Sequence, residues 1–223
     1  MRITVISAHP DDETLGCGGT LLKHSASGDI INWIVVTRVW EPKWPSGEES
    51  VRAAQIDEVA RAYGMATVAK LDHPSTRLSE VPENDVIDTL REAIENSRPD
   101  VVYTVHSSDA HSDHRVTFSA VAAILKPANM ARMDVQRFLS FETLSSTEAA
   151  ALPEAPFQPN VFSDITGYLD RKQEIMRLYD GETQADPGPR SEGAIEALAR
   201  LRGAAIGKQY AEAFVLVREL LGE

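Results

Sequence analysis

With one cysteine in 223 residues the chain has no intrachain disulfide to form, and the lone Cys17 fits a reducing compartment. Long apolar runs are missing too, since no stretch approaches the roughly 20 residues that cross a bilayer. Basic residues are scarce: 22 Lys and Arg stand against 34 Asp and Glu, for a net charge of -12. That balance disfavours a phosphate backbone as partner, and no local basic patch offsets it, so nucleic acid is not expected. The first residues carry no secretory-signal pattern, which makes the cytoplasm the expected location. No internal repeat or low-complexity tract occurs. What is present, 25% charged and 43% hydrophobic residues in a chain of this length, suits one globular domain.

Arg2 to Ala8 and Ile30 to Thr37 are β-branched, nearly continuous apolar runs, the pattern of strands buried on both faces of a parallel sheet. Between them Leu21, Leu22 and Ala26 take helical spacing over Gly18 to Ser27, with Gly28 suited to end the helix. The unit then repeats. Ser50 opens a helix whose Ile56, Val59, Ala60 and Tyr63 share a face, Gly64 closes it, and Thr67 to Leu71 is the next strand. Pro82 opens a third helix, striped by Ile87, Leu90 and Ile94 and stopped by Pro99 before the strand Val101 to Val105. A fourth helix follows His114, with Phe118, Val121, Ala122 and Leu125 inward and Pro127 at its end, and Val135 to Thr143 reads as a strand.

Glu148 to Asn160 and Gln184 to Ser191 read as loops. Helices are expected over Tyr168 to Tyr179 and Ala194 to Ala205, while Ala213 to Val217 suits strand or helix equally. The alternation predicts a single α/β domain, a Rossmann-like doubly wound, mostly parallel sheet with helices on both faces. Its part beyond about residue 148 is expected to be more irregular and to contribute to the substrate pocket.

Two loops carry the chemistry. His9, Pro10, Asp11, Asp12 and Glu13 follow the first apolar run, and His111, Ser112, Asp113 and His114 come soon after the strand at Val101 to Val105. Ligands of such sheets sit beyond the carboxyl ends of the strands, so strand polarity alone can bring the two loops into one crevice. Two imidazoles and a carboxylate, His9, Asp12 and His114, are the donor types of a catalytic zinc ion with one position left for water. Ferrous iron or another divalent metal suits the same set. Asp11, adjacent but not needed as a ligand, is placed to take a proton from water. His111 is the natural donor to a developing oxyanion, and Asp113 is suited to orient an imidazole through a hydrogen bond.

The run Ala8 to Glu13 with His111, Ser112, Asp113 and His114 resembles the PIG-L/LmbE-like zinc-dependent N-deacetylases, the GlcNAc-PI de-N-acetylase family. The likeness extends through Leu15 to Thr20, the Arg52 to Gly64 helix, His73 to Leu78, Glu142 to Glu148, Pro189 to Gly193 and Tyr210 to Phe214. It implies zinc on His9, Asp12 and His114, Asp11 as general base and His111 as oxyanion stabiliser, the roles the residues suggest by type. The sequence departs from the family at Gln55, where a Glu is frequent, and at Ser75, where an Asp is frequent. Both positions bear on which substrate is taken.

The reading is therefore a metal-dependent hydrolase that removes acetyl from a small N-acetylated amino sugar or glycoconjugate. Asp11, His111 and Asp113 are its expected catalytic groups, and Arg52, Arg77, Asp109 and Arg190 its expected substrate contacts. An amidase on a thiol-sugar conjugate or a natural-product intermediate is the alternative within hydrolases. Outside them stands a nucleotide-binding module built on Gly16, Gly18 and Gly19, although their spacing is not the dinucleotide fingerprint. Trp40 and Trp44 lie where an indole can stack on a sugar or anchor a loop. His24 is expected to face solvent near a helix end, His106 to sit at the edge of the site, and Cys17 to be packing. Assembly into a homo-oligomer is compatible with the sequence.

Overall fold

The first apolar run is a central strand because both faces of it meet hydrophobic layers. In the computed structural model, which describes residues 1–150 and 156–221, β1 (Arg2–Ser7) sends Ile3 and Val5 into one layer and Ile6 into the other. β2 (Ile30–Arg38), β3 (Thr67–Pro74), β4 (Val101–Val105) and β5 (Arg137–Phe141) form the parallel part of the sheet with it. β6 (Val161–Asp164) and β7 (Ala211–Glu219) close one edge, β7 antiparallel to β5 and β6 antiparallel to β7. Among the described residues the seven strands take the order β3-β2-β1-β4-β5-β7-β6.

The helices are α1 (Asp12–Ala26), α2 (Glu48–Tyr63), α3 (Glu83–Ser97), α4 (Ser112–Ile124), α5 (Pro127–Met133), α6 (Leu169–Met176) and α7 (Glu192–Ala204). Leu15 and Leu21 of α1, Ile56 and Val59 of α2, Ile175 of α6 and Ile195 of α7 join the layer of Ile3 and Val5. Leu90 of α3, Val121 of α4 and Met130 of α5 join the layer of Ile6. The doubly wound α/β domain expected from the alternation of elements is the one observed. No helix among the described residues is long and apolar enough to cross a membrane.

Several boundaries differ from the expectation, each for a tertiary reason. α1 begins at Asp12 rather than Gly18 and runs through the glycines, with a break at Cys17 (φ -142°). The break is supplied with partners from elsewhere: Lys172 Nζ donates to Leu15 O at 2.9 Å, and the Glu212 carboxylate accepts from the Gly19 and Thr20 amides at 2.8 and 2.7 Å. Glu212 thus fills the place where a helix N-terminus would take an anion, which removes the nucleotide-binding reading. Gly16 serves close packing, because a Cβ there would lie 2.0 Å from Phe141 Cδ2.

Pro127 opens α5 at its first turn instead of only ending α4, a position that needs no amide hydrogen. Ala213 to Val217 belongs to strand β7, and β6, four half-buried residues, carries too little pattern to be read in advance. Positions 151–155 of the predicted loop lie outside the described residues. His24 does not merely face solvent, since it bridges Asp29 at 2.7 Å and Tyr103 Oη at 3.2 Å.

Lys172 and Glu212 are 3% and 5% exposed and 2.8 Å apart. Replacing Lys172 by Met is expected to lower stability by about 3–5 kcal/mol, because the carboxylate left behind stays buried without its countercharge. Urea denaturation measures the loss, and a second change, Glu212→Gln, should recover part of it.

Candidate active site

The crevice lies where the chain leaves neighbouring strands toward opposite faces of the sheet. From β1 it passes through His9 and Pro10 into α1 on one face, and from adjacent β4 it passes to α4 on the other. Asp11 is the N-cap of α1 and Asp12 its first residue; His111 is the N-cap of α4, and Asp113 and His114 stand in its first turn. The fourth helix therefore starts before His114, not after it.

Three donors from these loops converge. His114 Nε2 lies 3.2 Å from Asp12 Oδ1 and 3.3 Å from His9 Nδ1, and His9 Nδ1 lies 3.6 Å from Asp12 Oδ2. Donors bound tetrahedrally at about 2.0–2.2 Å from one ion would be about 3.3–3.6 Å apart. The opposite nitrogen of each imidazole meets a carboxylate: His9 Nε2 meets Asp113 Oδ2 at 3.0 Å, and His114 Nδ1 meets Asp109 Oδ2 at 3.1 Å. With the outer nitrogens facing those carboxylates, the inner ones, His9 Nδ1 and His114 Nε2, face each other and Asp12, where a bound cation would take the place of the proton that His114 otherwise holds. Such an electron-rich cluster fits a divalent cation.

His9, His111 and His114 also bring ring nitrogens within 4.8 Å of one another. The Asp113 amide nevertheless donates to His111 Nδ1 at 3.1 Å, so the proton of the neutral His111 ring sits on Nε2. That nitrogen is a hydrogen-bond donor and not a metal donor. Burial, then the neighbouring His9 and His114 rings, push His111 down to about 4, which keeps it neutral. The positive end of α4 acts in the same sense.

The carboxylates behind the ligands are structural in a specific way. Asp113, fully buried, accepts from the Thr76 amide at 2.6 Å and the Leu78 amide at 3.2 Å as well as facing His9. It does not reach the cleft wall, so its place is behind His9 and not among groups that touch substrate. Asp109, expected to contact substrate, is 1% exposed and accepts from Ser146 Oγ, Thr147 Oγ1 and the His111 amide. Its short side chain is spent on aiming His114 and closing the loop.

Burial opposes the ionisation of Asp12, but His114 and His9 hold its carboxyl well below the usual range. Burial likewise opposes the His114 cation, and the charges of Asp12 and Asp109 override it, raising that imidazole to about 10 while no metal competes for Nε2.

Asp11 does not cap α1 with its side chain, although its backbone holds φ 117°, a strained region for a residue with a Cβ. Its amide donates to Glu13 Oε2 at 3.2 Å. Glu13 is pushed up to about 7 by burial, and its other oxygen accepts from Thr14 Oγ1 and Tyr179 Oη, each at 2.6 Å. Burial and the charge of Asp12 raise Asp11 well above the ordinary value, while Arg190 opposes them.

His9, Asp11, Asp12, His111 and His114 line one cleft of about 250 Å³. Arg52 and Arg190, the two expected substrate contacts that line it, are each paired with Glu182. Arg77 does not line it: it is paired with Glu80 outside and lies over the Trp40 ring at 4.9 Å. Trp44 faces the cleft, whereas Trp40 anchors the loop through Nε1 to Ser75 O at 3.0 Å. Gln55, one of the departing positions, accepts from Arg52 Nη1 at 3.3 Å. His106 bonds Ser140 Oγ and stands edge-on to Phe157, away from the cleft wall. Glu182 is the residue that the sequence did not single out; nothing local distinguishes it from the other acidic residues.

Against this geometry, the family model described as GlcNAc-PI de-N-acetylase (PIG-L) matches residues 4–125. An uncharacterized deacetylase of Escherichia coli K12, YaiS, is 29% identical over 170 residues, 73% of this chain and 81% of that one. The crystal structure of a conserved protein from Thermus thermophilus, TT1542, superposes with a TM-score of 0.79 at 26% identity, over 100% of this chain and 97% of that one. The N,N'-diacetylchitobiose deacetylase of Pyrococcus horikoshii shares the fold, with a TM-score of 0.76 at 23% identity over 96% of this chain and 83% of that one.

Proposed function

The chain belongs to the GlcNAc-PI de-N-acetylase (PIG-L) family, and from that premise we propose that it hydrolyses the acetamide of an N-acetylated amino sugar or glycoconjugate to acetate and a free amine. The observation that carries the reading is that Asp11 and the Nε2–H of His111 border the same three-donor cluster in one cleft. His9, Asp12 and His114 are the residues that would hold the ion, and zinc suits two imidazoles and a carboxylate. A zinc ion there supplies Lewis-acid polarisation of water and of the amide carbonyl.

Asp11 accepts a proton from the attacking water, and the guanidinium of Arg190 favours the ionised carboxylate this requires. His111 donates Nε2–H to the carbonyl oxygen as negative charge develops there. Being neutral and fixed by the Asp113 amide, it needs no reorientation at that moment. Asp11 then returns its proton to the departing nitrogen, so that water, amide, acetate and amine balance. The cleft, at about 250 Å³, is near the small end of ligand sites at about 300–1,000 Å³. It suits one sugar ring and its acetamide, with the remainder of a conjugate outside.

Purified protein is expected to release acetate from N-acetylglucosamine or N,N'-diacetylchitobiose, to stop after chelation, and to recover on adding back zinc or another divalent ion. Metal-loaded protein that deacetylates no acetamido sugar, yet cleaves larger amides, overturns the substrate assignment.

A further inference from the structure

A chain of alternating charges crosses the cleft and ends on Asp11. Arg52 Nη2 lies 2.6 Å from Glu182 Oε1, Glu182 Oε2 lies 2.7 Å from Arg190 Nη1, and the same Nη1 lies 2.9 Å from Asp11 Oδ2. Arg190 Nε donates to Ser145 Oγ at 3.3 Å and its main-chain amide to Gln184 Oε1 at 3.3 Å. The guanidinium is thus held from several sides, on a segment outside the residues that the family model matches.

We propose that Arg190, braced by Glu182, is a positioning residue for Asp11: it engages Oδ2 and fixes the carboxylate so that the other oxygen is left for proton transfer. The proposal rests on the deacetylase reading, in which Asp11 is the base. Two features favour positioning over the substrate grip expected from the sequence. First, the guanidinium is already committed to carboxylates on both sides, one of them the base itself. Second, Asp11 has a strained backbone and no cap hydrogen bond from its side chain to α1, so its orientation must be imposed from outside the helix. Arg190 is a side chain that does so, from 179 residues away. Glu182 takes part at one remove, through Arg190.

Crystal structures of Arg190→Ala and Arg190→Lys test the orientation without any substrate. The Asp11 carboxylate is expected to turn or lose its single position in Arg190→Ala and to regain it in Arg190→Lys. An unchanged Asp11 in Arg190→Ala overturns the proposal. With N-acetylglucosamine as probe, Arg190→Ala should lower kcat about 10–100-fold at nearly unchanged KM and metal content, the range of groups that orient a catalytic residue. Arg190→Lys should recover part of kcat. The same Arg190→Ala change in an Asp11→Asn background should have no further effect. A raised KM with unchanged kcat, or an effect that persists in the Asp11→Asn background, overturns it in favour of substrate binding. A wild-type enzyme inactive on every acetamido sugar would instead refute the functional reading, with the crystal structures still deciding the orientation.

Discussion

With asparagine at position 11 the protein is expected to keep its metal and lose roughly 10²–10⁴ of its turnover, the usual worth of a general base. Asparagine is nearly the same size as aspartate and offers the Arg190 guanidinium an oxygen, so the cleft and its hydrogen bond to Arg190 survive. It cannot take a proton from water near neutral pH. The neighbouring ligand set is untouched: Asp12 bonds the His9 amide at 2.8 Å and faces His114, and neither contact uses Asp11. Metal analysis beside acetate release is the measurement. Full turnover in the variant would remove Asp11 from the mechanism, whereas loss of metal together with turnover would make it a ligand.

His114→Ala is expected to abolish metal binding and activity together. Two of the three short donor distances in the cluster end on His114 Nε2, so its removal leaves His9 and Asp12, a pair too few for a closed site. The same change strips the buried Asp12 and Asp109 carboxylates of a shared partner. In the metal-free protein this should cost about 3–5 kcal/mol, less to the extent that Thr147 and Ser146 continue to satisfy Asp109.

A pH signature accompanies it. The folded protein raises His114 from 6.5 to about 10 when no metal competes. The pairing therefore stabilises the metal-free protein fully below about pH 6.5 and is lost as pH rises toward about 10. Thermal unfolding of chelated protein across that window should show a decline that His114→Ala lacks. A parallel decline in both would show that the imidazole is not paired as described.

The two motifs were legible because each is local and each follows an apolar run that can only be an inner strand. Strand polarity then brings His9 and His114, 105 residues apart, to one crevice. Where prediction failed, a long-range partner had overridden local preference. Gly16, Gly18 and Gly19 are poor helix formers, yet α1 runs through them because Phe141, Lys172 and Glu212 approach closely. Arg77 and Asp109 carry side chains suited to substrate, and what their neighbours took from them, Glu80 in one case and His114 in the other, has no signature in the residues themselves.

Composition, apolar periodicity and the two short motifs by themselves determined the class of fold, the strands that carry the site and the donor types gathered there, since these depend on residue type and spacing along a strand or a turn. Tertiary structure alone decided which side of each imidazole faces the cluster, because Asp113 and Asp109 claim the opposite nitrogens. It also decided that Arg190 meets Asp11 rather than standing free for substrate. Hydrogen-bond partners distant along the chain are chosen by how packed layers bring segments together, and that is a property of the folded layers, not of any stretch read alone.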